Sequence, residues 1–290
     1  MNAKMKNVIC PDGLVAVKSF ACTLLAFLLV ESICIYFVLK SVPIVIVLTL
    51  LVLLCTTIFV LRCVYTLNDF QIAIRASILG CIFALGIYVY LETPPHISPF
   101  GLYMCVMSFF HFSEYVAIAI VQPNELSTNS FVINHSPQYI IAAVSSWIEF
   151  FVEAYTIPDI KEYQWISVIG LVICILGEAL RKVSMLTAGS SFNHLVVYEK
   201  TSDHQLVTHG VYGWFRHPSY VGWFYWSIGT QIILINPICV IGYTVASWMF
   251  FNGRIFLEEI TLLNFYGQNY CDYQQKVWTG IPFIDGYRIN

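Results

Sequence analysis

Eight long apolar stretches dominate this chain and dictate what it can fold into. They run Leu14–Leu39, Pro43–Leu61, Ile72–Leu91, Pro99–Val121, Tyr139–Ile157, Trp165–Leu186, Pro218–Ile235 and Ile238–Phe251. A bilayer core calls for about 20 apolar residues per helix, and in hydrocarbon a segment must satisfy its own backbone N–H and C=O groups, which favours helix. Only 11% of the residues are charged, against ~25% in soluble domains. The sequence therefore predicts an all-α, polytopic integral membrane protein with about eight transmembrane helices, forming a single domain over residues 1–290. Only Asn236-Pro237 separates the last two spans, which predicts a tight C-terminal helical hairpin. The fifth span is interrupted by Glu149 and Glu153, which leaves a partial surface position open to it. The first apolar run is too long for a signal peptide and no small-residue cleavage site follows, so it is expected to be retained.

Lys and Arg orient the spans. With an even number of spans both termini share a side, which then collects Lys4, Lys6, Arg62, Arg75, Arg181, Lys182, Lys200, Arg216, Arg254, Lys276 and Arg288. The opposite side holds Lys40 and Lys161. This bias predicts cytosolic termini, and with them a cytosolic loop Thr187–Arg216 and a cytosolic tail from Asn252. The sequon Asn134-His135-Ser136 falls in a loop predicted to be cytosolic, where it stays bare. A net charge of -3 advertises no nucleic-acid surface. The ten cysteines are scattered without a C-x-x-C pair and read as small buried hydrophobes.

Polar residues within spans are costly and often functional. Here they are Glu31, His111, Glu114, Glu149, Glu153 and Glu178. Structural pairing is the simpler reading: Glu178 with Arg181 or Lys182, and His111 with Glu114 three residues on.

The densest polar chemistry lies in Leu206-Val-Thr-His-Gly-Val-Tyr-Gly-Trp-Phe-Arg-His-Pro-Ser-Tyr-Val-Gly222. Pro218 suits the first position of a helix. The free N–H groups there, with Arg216 and His217, make a site for a carboxylate or phosphate. Tyr212 and Tyr220 flank it and can hold a flat ring, while Gly210, Gly213 and Gly222 permit tight turns or close backbone approach. An interfacial turn with snorkelling cations would look similar. However, Arg254 and Glu258 lie four apart on the helix that the hairpin returns, so they converge on Arg216, His217 and Tyr220. That convergence favours a functional site. His194, His204, His209 and His217 fit no zinc spacing. Dinucleotide, P-loop and nucleophile-elbow motifs are missing from the sequence.

The pattern Leu206-Val-Thr-x-Gly-x-Tyr-x-x-x-Arg-His-Pro-Ser-Tyr-x-Gly222, followed by Arg254 and Glu258-Glu259, resembles the isoprenylcysteine carboxyl methyltransferases. The likeness takes in Gly189-Ser-Ser-Phe-Asn-His194, Asn236-Pro237 and Gly280-Ile-Pro-Phe-Ile284. It covers the C-terminal third; the first half agrees only in hydropathy and number of spans. The Arg-His-Pro-x-Tyr-x-Gly core alone is shared with phospholipid methyltransferases and, loosely, with membrane sterol reductases.

The resemblance implies an endoplasmic-reticulum enzyme that methylates the C-terminal carboxylate of proteins ending in a farnesylated or geranylgeranylated cysteine, such as small GTPases. The methyl donor would be S-adenosylmethionine, and no metal would be needed. Residues 1–186 would supply six transmembrane helices, and 187–290 a cytosolic cofactor-binding loop, the hairpin and the tail. Carried onto matching positions, His204, Gln205, Leu206, Val207, Tyr212, His217, Pro218, Ser219, Tyr220 and Glu258 would hold the cofactor. Arg254 would bind the substrate carboxylate, and Arg254 and Glu258 would form the catalytic pair.

The chemistry is compatible with those roles. A C-terminal carboxylate, of pKa about 3.3–3.7, is already ionised at neutral pH, so methylating it needs no base. An arginine fork suits it. A phospholipid amine would first need deprotonation, a reductase would take a nicotinamide, and a transporter would place paired polar groups at mid-bilayer, often with repeats. None of these fits the polar cluster as well.

Overall fold

The computed structural model describes residues 9–37, 43–133, 136–193, 198–199 and 205–288. The sequon Asn134-His135 and the histidines His194 and His204 lie outside the described residues. Each of the eight apolar stretches contains a helix: α1 Pro11–Phe37, α2 Pro43–Val64, α3 Leu67–Glu92, α4 Ser98–Val121, α5 Pro137–Thr156, α6 Gln164–Ala188, α7 Pro218–Ile233 and α8 Pro237–Tyr266. Five of them begin on proline, whose missing N–H and fixed φ suit a first helical position. α8 continues well past its apolar stretch, carrying Arg254 and Glu258 on one helix as their spacing predicts. A ninth helix, α9 (Gln268–Lys276), follows a Gly267 with φ of 53°. The sequence reading treated this segment only as tail.

Among the described residues, three helical segments are long and apolar enough by themselves to cross a membrane, Pro11–Ile33, Leu67–Glu92 and Ser98–Val121, with a shorter apolar run at Leu51–Val64. α7, at 16 residues, rises only ~24 Å at 1.5 Å per residue.

The chain divides into two compact units, Met1–Tyr139 and Ile140–Asn290. In the first, α1, α3 and α4 pack around Phe20, Ile72, Ala76, Leu79, Tyr115 and Phe131. Phe20 stacks on Phe112, and Tyr115 on Phe131, each with ring centroids 4.0 Å apart. His111 is engaged there structurally. Its Nδ1 lies 3.0 Å from the Phe131 carbonyl and its Nε2 3.2 Å from the Tyr139 hydroxyl.

In the second unit α6 and α7 touch backbone to backbone. A Cβ on Gly222 would stand 2.5 Å from the Gly177 carbonyl oxygen, and one on Gly177 2.6 Å from that of Gly222. The close approach expected of Gly222 is therefore real, and it presses the start of α7 onto α6. Glu178 pairs with Lys182 at 3.0 Å. Arg181 instead donates to Ser219 Oγ at 2.7 Å and lies over the Trp223 ring, 4.7 Å from its centroid, fixing the first turn of α7.

The junction of α7 and α8 accounts for the two glutamates that interrupt the fifth span. Glu149 accepts from the backbone N–H groups of Ile238 and Cys239, both at 2.7 Å, and so caps α8. Lys161, fully buried in the turn Pro158–Glu162, donates to Glu153 at 2.6 Å and to the carbonyls of Leu234 and Ile235 at 2.9 and 2.8 Å. Asn236 Oδ1 accepts from it as well, and Asn236 Nδ2 donates to the Ser146 carbonyl at 2.9 Å. Burial pulls the Lys161 pKa down, and Glu153 restores part of it. An anion at the head of α8 and a cation at the foot of α7 match the two helix dipoles.

Candidate active site

The stretch that begins near Leu206 folds into a short 3-10 turn, Gly210–Gly213, and leads directly into α7. Phe215 pairs with Trp278 as an isolated bridge, and Arg216 N–H donates to the Trp278 carbonyl at 2.9 Å. The tail thus grips the segment just before the helix. His217 is the N-cap, and its side chain makes no capping hydrogen bond.

Arg216 lines the cleft, yet its guanidinium donates to the protein. Nearly all of its surface is buried, and its guanidinium is surrounded by protein acceptors. Nε donates to Glu259 Oε1 at 2.8 Å, Nη1 to the carbonyls of Gln274 and Val277, and Nη2 to that of Asp285 at 2.8 Å. Glu259 is the hub of this network. It also accepts from Gln274 at 3.0 Å and from Tyr270 at 3.2 Å, and His217 Nε2 lies 3.2 Å from it. Burial by itself would raise the Glu259 pKa, but His217 and Arg216 outweigh it and hold the carboxyl below its ordinary value. An ionised carboxylate only accepts, so Nε2 of His217 carries the proton of that contact. Nδ1 then faces Glu258, 3.7 Å away.

Glu258 lies one residue along α8 and serves a different space. It accepts from the hydroxyl of Tyr220, and that hydroxyl in turn accepts from Arg254 Nε at 3.2 Å. Tyr220 therefore links Arg254 to Glu258. Its ring stacks on His217, with centroids 5.7 Å apart and planes within 10°. The Glu258 side chain is 28% exposed, whereas that of Glu259 is 0% exposed.

Glu258 opens onto a cleft of about 650 Å³, part of it open to solvent. Its lining includes Gln205, Leu206, Val207, Tyr212, His217, Pro218, Ser219, Tyr220 and Glu258. Every described residue assigned to the cofactor from the sequence thus faces one space. Arg254 stands one hydrogen bond away from it, through Tyr220. Gln205 N–H donates to Ser191 Oγ at 3.2 Å, joining the loop to the 3-10 turn Gly189–Ser191 that follows α6. Burial, then the charge of Glu258, push the Tyr212 hydroxyl pKa up, so the phenol stays neutral.

The sequence reading missed part of this wall. Tyr270 and Tyr273 of α9 also line the cleft, as do Phe192, Leu262 and the end of α6 at Ala188. Tyr273 donates to the Tyr212 carbonyl, so α9 braces the 3-10 turn. Two tyrosines three apart in an otherwise polar segment were the available signal.

Residues 168–264 match the model of the "Isoprenylcysteine carboxyl methyltransferase (ICMT) family". A protein-S-isoprenylcysteine O-methyltransferase of Tribolium castaneum is 67% identical over 231 residues, covering 80% of this chain and 82% of the relative. One from Xenopus laevis is 55% identical over 225 residues, covering 78% of each chain. A solved structure, described as the eukaryotic intramembrane Ras methyltransferase ICMT, superposes with a TM-score of 0.94 at 58% identity. That superposition covers 96% of this chain and 99% of the other. The chain belongs to the isoprenylcysteine carboxyl methyltransferase family.

Proposed function

We propose that this chain methylates the C-terminal carboxylate of prenylated cysteine proteins, with S-adenosylmethionine as donor. The reaction would take place at the cytosolic face of the endoplasmic-reticulum membrane, in a protein of eight spans with both termini cytosolic. The observation that carries the reading is the chain Arg254–Tyr220–Glu258, which sets a cation beside an acid at the edge of the cleft.

The cleft suits the donor. Tyr212 and Tyr220 offer faces for an adenine, and Glu258 an acceptor for an amino group. The first turn of α7 is entered through Pro218 without a side-chain cap at His217, and its Ser219 N–H is the one offered to a carboxylate, because those of Tyr220 and Val221 donate to the His217 carbonyl. When bound, S-adenosylmethionine supplies an electrophilic methyl group on a sulfonium sulfur. Gln205, Leu206, Val207, Pro218 and Ser219 would complete the cofactor wall, and His204 would join them.

The chain's own work is then alignment. The substrate carboxylate is already a nucleophile, so no residue needs to remove a proton. Arg254 receives it through a planar fork. Tyr220 accepts from the Arg254 Nε and so holds the guanidinium at the edge of the cleft. A reacting oxygen placed about 3–3.5 Å from the methyl gains most of its advantage from this positioning. Pairing must stay loose enough to leave the oxygen nucleophilic.

The test is transfer of labelled methyl from S-adenosylmethionine to a minimal S-farnesylcysteine, with phosphatidylethanolamine as competitor substrate. Label in the farnesylcysteine ester supports the reading; label only in the lipid amine replaces it with phospholipid methylation. The topology has its own check. An unmodified Asn134 in cells is expected, and a glycan there would overturn the orientation.

A further inference from the structure

We propose that the turn Ile281–Ile284 is a lipid-seated anchor. Phe283 enters the boundary between acyl chains and headgroups of the leaflet nearest the cleft, and thereby fastens the tail that closes over Glu259. The proposal rests on the reading that α8 crosses the bilayer.

Phe283 combines two features that are unfavourable together in water. Its side chain is 93% exposed, and its φ of 63° lies in the left-handed region that bulky residues avoid. It is also not a loose end. Trp248 Nε1 donates to the Pro282 carbonyl at 2.8 Å, and Thr279 Oγ1 donates to that of Ile284. Ile281 and Ile284 are buried against Val221, Phe224, Phe251 and Ile255. Gly280, with φ of 102°, is wedged so closely that a Cβ would meet Val221 Cγ2 at 2.4 Å. A rigid turn thus displays a phenyl ring outward, and hydrocarbon is the partner that makes this favourable.

The tether sets the depth. Trp248 precedes Phe251, the end of the α8 apolar stretch, by three residues, roughly 4.5 Å along the helix axis. Pro282, bonded to Trp248, therefore lies at the level where the span ends. Val245, Met249 and Phe250 expose apolar side chains on the same stretch of α8, and Trp278 beside Phe215 is 54% exposed. Exposed tryptophans at such a level form an interfacial belt. The anchor's far side reaches the cleft: the Asp285 carbonyl accepts from Arg216, and the Tyr287 carbonyl from Gln274.

A benzophenone amino acid placed at 283, at Met249 or at Asn269 in the full chain, in phosphatidylcholine nanodiscs, tests this by lipid photoadducts read by mass spectrometry. Lipid adducts are expected at 283 and 249 but not at 269. An adduct at 249 without one at 283 overturns the anchor alone, and a protein adduct at 283 replaces the lipid with a protein partner. No adduct at 249 overturns the α8 span and the anchor with it. Amide exchange across residues 279–287 gives a second readout. Phe283→Asp should raise it several-fold while Phe283→Leu leaves it unchanged, and equal exchange in both variants contradicts anchoring.

Discussion

The two ends of the α7–α8 pair both bury ions, and the described cleft lies at one of them. At the junction end, Lys161 has four protein acceptors and Glu149 caps two backbone N–H groups. No lining residue of the described cleft comes from that cluster. At the other end the charges form two tiers. Arg216 and Glu259 are buried against each other and the tail, with Arg216 backing the cleft wall, while Glu258, one residue along, faces the open space with Arg254 beside it. A buried charge in an apolar chain is therefore not by itself a sign of function. What marks the site is an acid and a cation tied to one hydroxyl at the edge of a cavity, with a buried tier holding them in place.

The largest effect is expected at Lys161. Removing one partner of a buried ion pair costs about 3–5 kcal/mol. Lys161→Ala should therefore lower thermal stability by that order in a detergent melt, while the surviving folded protein keeps normal kcat/KM. Activity lost out of proportion to the folded fraction would mean that the two ends are not independent.

Tyr220→Phe sharpens the other end at smaller cost. The hydroxyl links Arg254 to Glu258, and a hydrogen bond of this kind is worth about 0.5–1.5 kcal/mol net. A drop of roughly three- to tenfold in kcat/KM is expected, with little change in melting temperature. An unchanged rate would show that the link does not position Arg254.

The smallest effect at neutral pH is the titration of Glu259. Its folded pKa is held below the ordinary value by His217 and Arg216 against the opposing effect of burial. A depressed carboxylate pKa contributes stability that is fully present above the unfolded pKa, near 4.3, and is lost as pH falls through the folded value. Melting curves should therefore be flat with respect to this group near pH 7 and fall below about pH 4. Glu259→Gln should flatten that acid limb, and an unaltered limb would remove Glu259 as its source.

These tiers explain what was legible in the sequence. The apolar runs announce their helices, with Pro43 and Pro218 marking two of the starts, because both signals are local. The cleft residues between Gln205 and Tyr220 were legible because one short motif carries most of them, and a one-turn spacing adds Arg254 and Glu258. The sealed tier was not. Arg216 reads as an anion ligand at a helix start, and nothing local reveals that Glu259, Gln274, Val277 and Asp285 take up its donors. Glu149 and Glu153 read as interruptions of a span for the same reason: their partners, at 238–239 and at Lys161, are set by packing. Family membership then supplies what local pattern leaves out, since the solved relative superposes over 96% of the chain.

On the proposed function Arg254 acts on the substrate rather than on the fold. The direct measurement is kcat/KM for S-farnesylcysteine methylation by Arg254→Ala and Arg254→Lys, at matched thermal stability, beside the affinity of each for S-adenosylmethionine. A charge-assisted hydrogen bond is worth about 1.5–3 kcal/mol, so the alanine variant should lose roughly ten- to a hundredfold or more. Lysine should recover only part of that, because it offers a point charge without the fork, and cofactor affinity should change far less than rate in both. An Arg254→Ala protein that methylates the prenylcysteine at a near-normal rate would contradict the account.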